Sequence, residues 1–448
     1  MSNFKKVILL FLLLFVFEQG LAFALEPVTF RHYLELELNR KKAQSLQPDM
    51  VFIGNSRVST CFIPSIFAQN MEEVSCAFNA GTGSQGIEGT YYYLKDILNQ
   101  YDLKYVVVGL DYQTILREER QLKRDLVVLE RLRSPLVKAQ FIAGVFEPSE
   151  YVYFLKSYQY RDKIADACDN IKKKLSKEYR QGIDTGQDTV YEELGFTRET
   201  KVFGNRAGIY PSQPWEEEKI DPGKLAYLDK IIELCRDNEV QLYMVSTPLT
   251  ISTVCTTKGY EECCRFFEEY LGERGIAYDN LNFMKDRQVL LPDAAMNGME
   301  HVGGESADLV SDFYSRVLAG RIRNENVDDY FYESVADMEV HMSDVICCAL
   351  HTETAEEEDG TVGGQQAGGR RIVGEAYCKE GVTAEYQFEV EHAGETTILQ
   401  TYDTQNTCPL PGSRMIYPMT LRVRCRPVNG DGIERVFEVD IDENTWAQ

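Results

Sequence analysis

The chain predicts an α/β protein: a three-layer parallel sheet with helices on both faces (flavodoxin-like), followed by an all-β sandwich. Three observations predict this. From about residue 48, short unbroken apolar runs alternate with helical stretches, the pattern of strands buried on both faces with crossover helices. Beyond Arg323 the pattern becomes apolar/polar alternation of period two, with turns at Asn429-Gly430 and Gly394, which reads as antiparallel strands. And 448 residues exceed one small module, at roughly 100–200 residues per domain.

The elements follow in order. Lys5 and Lys6 precede Val7–Phe17, an unbroken run of eleven apolar residues; Glu18, Gln19 and Gly20 interrupt it, and Ala22-Phe23-Ala24 has the small-x-small pattern of a signal cleavage site. Eleven helical residues rise about 16 Å against a hydrocarbon core of ~30 Å. With Leu21–Leu25 added the segment suffices as an anchor, at the cost of burying Glu18. Residues 1–25 are therefore read as a signal peptide or an N-terminal membrane anchor. Either way the rest of the chain is expected outside the cytoplasm, extracellular or at the cell surface.

Residues 26–330 form the expected α/β domain. Asp49–Gly54, Ser75–Asn79, Leu103–Gly109, Val240–Val245 and Ile276–Asp279 are strands. Gly89–Asn99, Lys224–Asp237, Tyr260–Arg274 and Glu305–Ala319 are helices. Between 112 and 221 the alternation stops. Leu116–Leu136 is helical in spacing, Ser149–Tyr179 mixes aromatics with Lys and Asp, and Gln181–Gly204 reads as loop. This insertion leaves the sheet at its ligand-binding edge, so a lid and a helical bolster are both open readings. Residues 331–448 are the expected β-sandwich, immunoglobulin-like in size. Its strands are read at Met338–Met342, Ala384–Val390, Thr396–Thr401, Met419–Arg424 and Arg435–Val439, with Thr352–Gly369 a long exposed loop.

Composition narrows the function. Formal charge is −24 and no basic, aromatic-interleaved patch occurs, so nucleic acid is excluded as a partner. Twelve Cys divide seven before residue 330 and five after, with no CxxC and no His at zinc spacing. Disulfides are expected in the C-terminal part; no metal site or cofactor is expected. Gly81-Thr-Gly83-Ser-Gln-Gly86 fits a dinucleotide-binding fingerprint literally. It follows the second strand rather than the first, in an exported chain, so nucleotide binding is set aside.

Ser56 lies just past the first strand, where its hydroxyl reaches the carboxyl edge of the sheet and the turn offers N–H groups to an oxyanion. Of the five histidines, His32 precedes the first strand, and His341, His351 and His392 belong to the β module. Only His301 lies beyond the last strand of the α/β part. Loops after the first and last strands share one edge, so its imidazole is placed to take the Ser56 proton during attack on an acyl carbon.

In this order, Gly54-Asn55-Ser56, Asn79-Ala-Gly81, Gly109-Leu-Asp111 and His301 resemble the motif blocks of the SGNH (GDSL-like) hydrolase superfamily. The resemblance covers roughly residues 48–322. With the leading apolar segment, the layout is similar to exported members acting on cell-envelope glycans, such as the alginate O-acetyltransferase and D-alanyl-transfer proteins. It implies Ser56 as nucleophile, His301 as base, and Ser56, Gly81 and Asn79 as the oxyanion group. Three positions depart from the family pattern: Asn55 replaces its Asp, Asp111 its Asn donor, and Gly298 the Asp three residues before the His. Asp293 then becomes the expected orienting acid, since Glu300 is the immediate neighbour of His301. Arg57 is the expected contact for an anionic sugar group, its bland alternative being a surface salt bridge. The function so implied is an exported esterase or O-acyltransferase, its substrate an acylated polysaccharide or small acyl ester. The alternative is a catalytically silent surface protein of this fold that binds glycan or another envelope component. The N-terminal segment provides for membrane association.

Overall fold

The computed structural model describes residues 3–42, 47–110, 113–354, 370–410 and 417–442. Its central sheet has five parallel strands, β1 (Met50–Ile53), β2 (Ala77–Asn79), β3 (Tyr105–Gly109), β4 (Gln241–Ser246) and β5 (Ala277–Asn280), in the order β2-β1-β3-β4-β5. This is the flavodoxin-like order 2-1-3-4-5, whose ligand crevice opens at the carboxyl ends of β1 and β3.

The sheet is buried on both faces, and the period of two assigns each side chain. Val51, Ile53, Val106, Val108 and Met244 share a core with the helices Ile87–Leu98, Pro222–Asp237 and Tyr260–Gly272. Met50, Phe52, Tyr105, Val107, Tyr243 and Val245 face the helices Pro64–Asn70 and Ser306–Ile322. There Phe52, Phe62, Phe67 and Tyr314 interlock, with ring centroids 4.5 Å apart for Phe52–Phe67 and 5.4 Å for Phe62–Tyr314. Such pairs add about 0.5–1.5 kcal/mol each beyond area burial.

Two glycines set the edge of the crevice. A Cβ on Gly109 would lie 2.2 Å from Val58 Cγ2, and one on Gly54 would lie 2.7 Å from the same atom. Their missing side chains let the short helix Ser56–Cys61 settle across the ends of β1 and β3. At the opposite edge Asp49, 5% exposed, accepts hydrogen bonds from the N–H groups of Ser75 and Cys76 and the Ser75 hydroxyl, stitching the entries of β1 and β2.

The insertion serves as both wall and bolster. Leu122–Arg131 and Pro135–Val145 are helices that bury Leu126, Val128, Val137 and Phe141 against the sheet's first core. The stretch Gln181–Gly204, read above as loop, contains a β-hairpin, Thr189–Glu193 with Phe196–Glu199. It turns through Leu194 and Gly195, both at positive φ. A Cβ on Gly195 would fall 1.7 Å from the Asn79 carbonyl oxygen, so only glycine permits this turn to rest on β2.

The C-terminal region is a sandwich. Val345–Thr354, Arg370–Cys378 and Thr407–Leu410 form one antiparallel sheet; Glu395–Asp403, Ala384–His392, Met419–Pro427 and Arg435–Ile441 form the other. Met419–Pro427 alternates strictly, with Met419, Leu421, Val423 and Cys425 inward. Outward, Arg422 pairs with Glu389, Glu391 and Glu438. Met338–Met342, expected as a strand, instead ends the helix Val335–Val340 and turns out of it at His341 and Met342; the Ser334 side chain, accepting the Asp337 N–H, starts that helix. The strands at 345, 370 and 407 were not anticipated. Thr352–Thr354 complete the first of them, and the rest of the expected loop, 355–369, lies outside the described residues. The expected C-terminal disulfides are not formed: Cys347, Cys348, Cys378, Cys408 and Cys425 are thiols. The two regions share a further core, in which Met338, Met342, Ile346 and Cys347 pack with Leu249, Ile251, Val254 and Phe283.

At the N-terminus a single helix, Asn3–Leu25, runs through the interruption at Glu18–Gly20. Phe4–Leu25 is long and apolar enough to cross a membrane.

Candidate active site

Asn55 organises the turn after β1. It caps the helix Ser56–Cys61, its Oδ1 accepting the Arg57 N–H at 3.0 Å. The Ser56 N–H has no protein acceptor among the described residues and stands at the crevice. From the far end of the sheet comes a two-rung hairpin, Met296–Asn297 with His301–Val302, turning through Gly298 at φ +68°. It brings His301 Nε2 to 2.8 Å from Ser56 Oγ. Two residues 245 positions apart are thus in hydrogen-bond contact.

The His301 hairpin is braced from three sides. The Thr250 N–H donates to the Met299 carbonyl at 2.8 Å. Asn297 Nδ2 donates to Glu199 Oε2 at 2.7 Å, and the Gly304 N–H to the Glu199 carbonyl at 2.8 Å. Glu199 lies on the insertion's hairpin, so the insertion positions His301. In addition Arg57 and Glu300 form an ion pair that joins the residue after Ser56 to the residue before His301.

Asp293 does not serve His301. Its carboxylate accepts the N–H groups of Ile251 at 2.5 Å and Ser252 at 3.0 Å, anchoring the first turn of the helix Ile251–Thr256. Burial raises its pKa, opposed by the Ser252 N–H and Arg287. Glu300 is engaged by Arg57. Among the described residues no carboxylate reaches the His301 ring. Asp111 lies outside the described residues.

The oxyanion group is also smaller than expected. Asn79 is fully buried and saturated: its Nδ2 donates to the carbonyls of Val58 and Phe62, and its Oδ1 accepts the Gly81 N–H at 2.9 Å. That spends the Gly81 N–H as well. A Cβ on Gly81 would lie 2.5 Å from the Ser59 nitrogen, so the Gly81 loop packs directly against the helix Ser56–Cys61. Arg57, expected to reach substrate, is 6% exposed and paired with Glu300.

Beside Ser56 opens a cleft of about 280 Å³. Its other walls come from Gln85, Gln113, Thr114, Glu118, Gln121 and Arg124, and no large apolar side chain lines it among the described residues. Gln85 is 6% exposed; its Nε2 donates to Thr90 Oγ1, while its Oε1 has no partner. Arg124 bonds Glu118 at 2.5 Å; its Nε–H makes no hydrogen bond and lies 4.0 Å from Asp125 Oδ1. Burial opposes ionisation of Glu118, but Lys224 and Arg124 hold its carboxyl below the usual range. The charges are paired, and an unused acceptor and an unused donor remain. Sequence reasoning missed these residues because most belong to the insertion; Gln85 was visible only as part of a Gly-rich loop. Gly86 of that loop stands at the N-cap of the helix Ile87–Leu98, and a Cβ on it would crowd the Arg124 guanidinium at 3.3 Å. Among the described residues no cluster of His, Cys, Asp and Glu has metal-binding geometry.

No protein-family model matches the chain. No curated protein matches it. Among solved structures, it is similar to a candidate acylhydrolase of Bacteroides fragilis, with 13% identity, a TM-score of 0.30 and coverage of 64% of this chain and 98% of the other. It is likewise similar to a GDSL-like lipase of Bacteroides thetaiotaomicron, with 12% identity, a TM-score of 0.30 and coverage of 65% and 98%. The strand order places Ser56 after the first strand and His301 beyond the last, in contact at one edge of the sheet.

Proposed function

We propose that the protein is an exported SGNH-type esterase or O-acyltransferase that cleaves or moves a short acyl group on a polar, polysaccharide carrier. The observation that carries this reading is the 2.8 Å contact between Ser56 Oγ and His301 Nε2 at the carboxyl edge of the sheet. Ser56 attacks the acyl carbon while Nε2 takes its proton, forming the Ser–acyl bond through a tetrahedral oxyanion beside the Ser56 N–H. Nε2 then returns the proton to the departing sugar oxygen. Water, or a second sugar hydroxyl, attacks the acyl-serine in the reverse sense and frees Ser56. The lining supports the substrate class: a cleft with no apolar wall among the described residues suits a hydroxyl-rich carrier and an acyl group as small as acetyl, not a fatty chain.

Hydrolysis of a small aryl acetate tests this. Ser56→Ala is expected to lower kcat by on the order of a thousandfold or more. Equal rates for the two proteins would remove Ser56 from the chemistry.

The second reading, a glycan-binding protein with a silent site, is favoured by one observation: no described carboxylate orients His301. Losing that group costs on the order of ten-thousandfold in kcat where a full triad exists. Under this reading the wild type and Ser56→Ala bind acetylated polysaccharide alike, and neither turns it over.

A further inference from the structure

We propose that the helix Phe4–Leu25 remains on the chain as a membrane anchor, and that residues 148–180 of the insertion form a second membrane-contacting surface, lying on an anionic bilayer where the anchor leaves it. This is independent of what Ser56 does.

The last turns of the helix are built into the body. The Glu18 carboxylate accepts the Ser157 N–H at 3.0 Å and the Ser157 hydroxyl. Lys174 Nζ donates to the Phe23 carbonyl at 2.7 Å and stands 5.1 Å from the Phe23 ring. Asn170 Nδ2 donates to the Leu25 carbonyl at 3.2 Å, and Ala22 and Leu25 are buried. The Ala22-Phe23-Ala24 motif is therefore helical, with Ala22 buried and the Phe23 carbonyl bonded to Lys174, whereas proteolysis favours exposed, irregular chain. Glu18 also has its partners supplied by the insertion, which removes the objection to burying it.

Length then places the insertion at the bilayer. Beyond the docked turns, the fourteen residues Phe4–Phe17 project with their apolar side chains exposed. Fourteen helical residues rise about 21 Å, roughly 9 Å short of a ~30 Å hydrocarbon core. The missing rise has to come from residues 18–23, which the insertion flanks, so the insertion's outer surface meets the headgroups. Its composition suits that position. Leu155 is 51% and Ile164 69% exposed, and Tyr151, Val152 and Tyr158 are exposed beside them. Arg161 stacks 4.2 Å over the Tyr158 ring. Residues 156–180 carry eight Lys and Arg against four Asp and Glu, in a chain whose net charge is −24. Aromatic, aliphatic and basic side chains of this kind gather at bilayer interfaces, and basic ones favour anionic lipid.

The test uses the full chain reconstituted in vesicles of phosphatidylglycerol and acyl-brominated phosphatidylcholine. Tryptophan is introduced as Leu155→Trp or Ile164→Trp, with Val340→Trp in the β module as control. Fluorescence at the first two is expected to be quenched severalfold more than at the control. Lys172→Gln, Lys173→Gln and Lys177→Gln together are expected to weaken the contact by roughly fivefold per residue in these vesicles, and to change nothing in phosphatidylcholine alone. Protein recovered from the membranes of expressing cells is expected to begin at Met1 or Ser2. A start at or after Leu25 would overturn the retained anchor. Equal quenching at all three positions would overturn the surface, as when a second copy or another protein covers it, and indifference to lipid charge would overturn its anionic preference.

Discussion

At the scale of single residues, the cleft beside Ser56 is defined by what remains unused. Gln85 is almost wholly enclosed, yet its carbonyl oxygen has no protein donor. An unpaired buried acceptor costs about 1–3 kcal/mol, which a substrate hydroxyl recovers on binding. Gln85→Leu is therefore expected to raise KM for an acetylated sugar by about tenfold and to leave hydrolysis of an aryl acetate, which has no such hydroxyl, within about twofold. Parallel Michaelis–Menten curves check this. The residue scale also separates what chain order can place from what it cannot. That Ser56 and His301 meet was legible because chain order and sheet topology decide which loops share an edge. Asp293 was misplaced because closeness in sequence does not say which way a carboxylate turns; it faces the backbone of 251 and 252. Asn79 ends β2 and Gly81 follows it, but the hydrogen bond between them is visible only in three dimensions.

Elements depend on the groups that join them. Asp49 stitches β1 to β2; burial opposes its ionisation, but the N–H groups of Cys76 and Ser75 win and hold its carboxyl below the usual range. A carboxyl depressed in the folded state stabilises it fully above the unfolded value, near 3.9, and that contribution is lost as pH falls through the lower folded value. Asp49→Asn is expected to cost about 1–3 kcal/mol at pH 7, with the difference from wild type shrinking below about pH 4. Urea melts across that range measure it. The strands of the central sheet were legible because burial on both faces leaves an unbroken apolar run. The hairpin at 189–199 was not: Thr, Glu and Gly interrupt its few apolar residues, and its bonds to Asn79 and Glu37 and the burial of Tyr191, Leu194 and Phe196 are set by partners far along the chain. Met338–Met342 alternates as a strand does, but five residues hold either period, and the Ser334 cap decided for helix.

For the whole molecule, the α/β and β parts share the apolar cluster around Ile346, Met338 and Leu249, so they are expected to unfold together. Ile346, 5% exposed, sits in that seam. Ile346→Asp buries an unpaired charge there and is expected to split one calorimetric transition into two. A single transition in the variant would show that the seam carries no cooperativity. The division into α/β and β parts was readable from the change of period; the seam was not, because apolar residues on the surface of one module look like any others until the second covers them.

The glycines at 54 and 109 give the reaction centre no mechanical slack. Where another residue would carry a methyl, a bare hydrogen sets the clearance beneath Val58, and that clearance fixes how deep the serine rides. Gly109→Ala should lift the hydroxyl off the imidazole and abolish turnover in a chain that still folds. Shaving the obstructing side chain as well, in the pair Gly109→Ala with Val58→Ala, should restore much of the rate, and assays of the single and double variants decide it. Fine control of a nucleophile would then rest on two atoms that were never there.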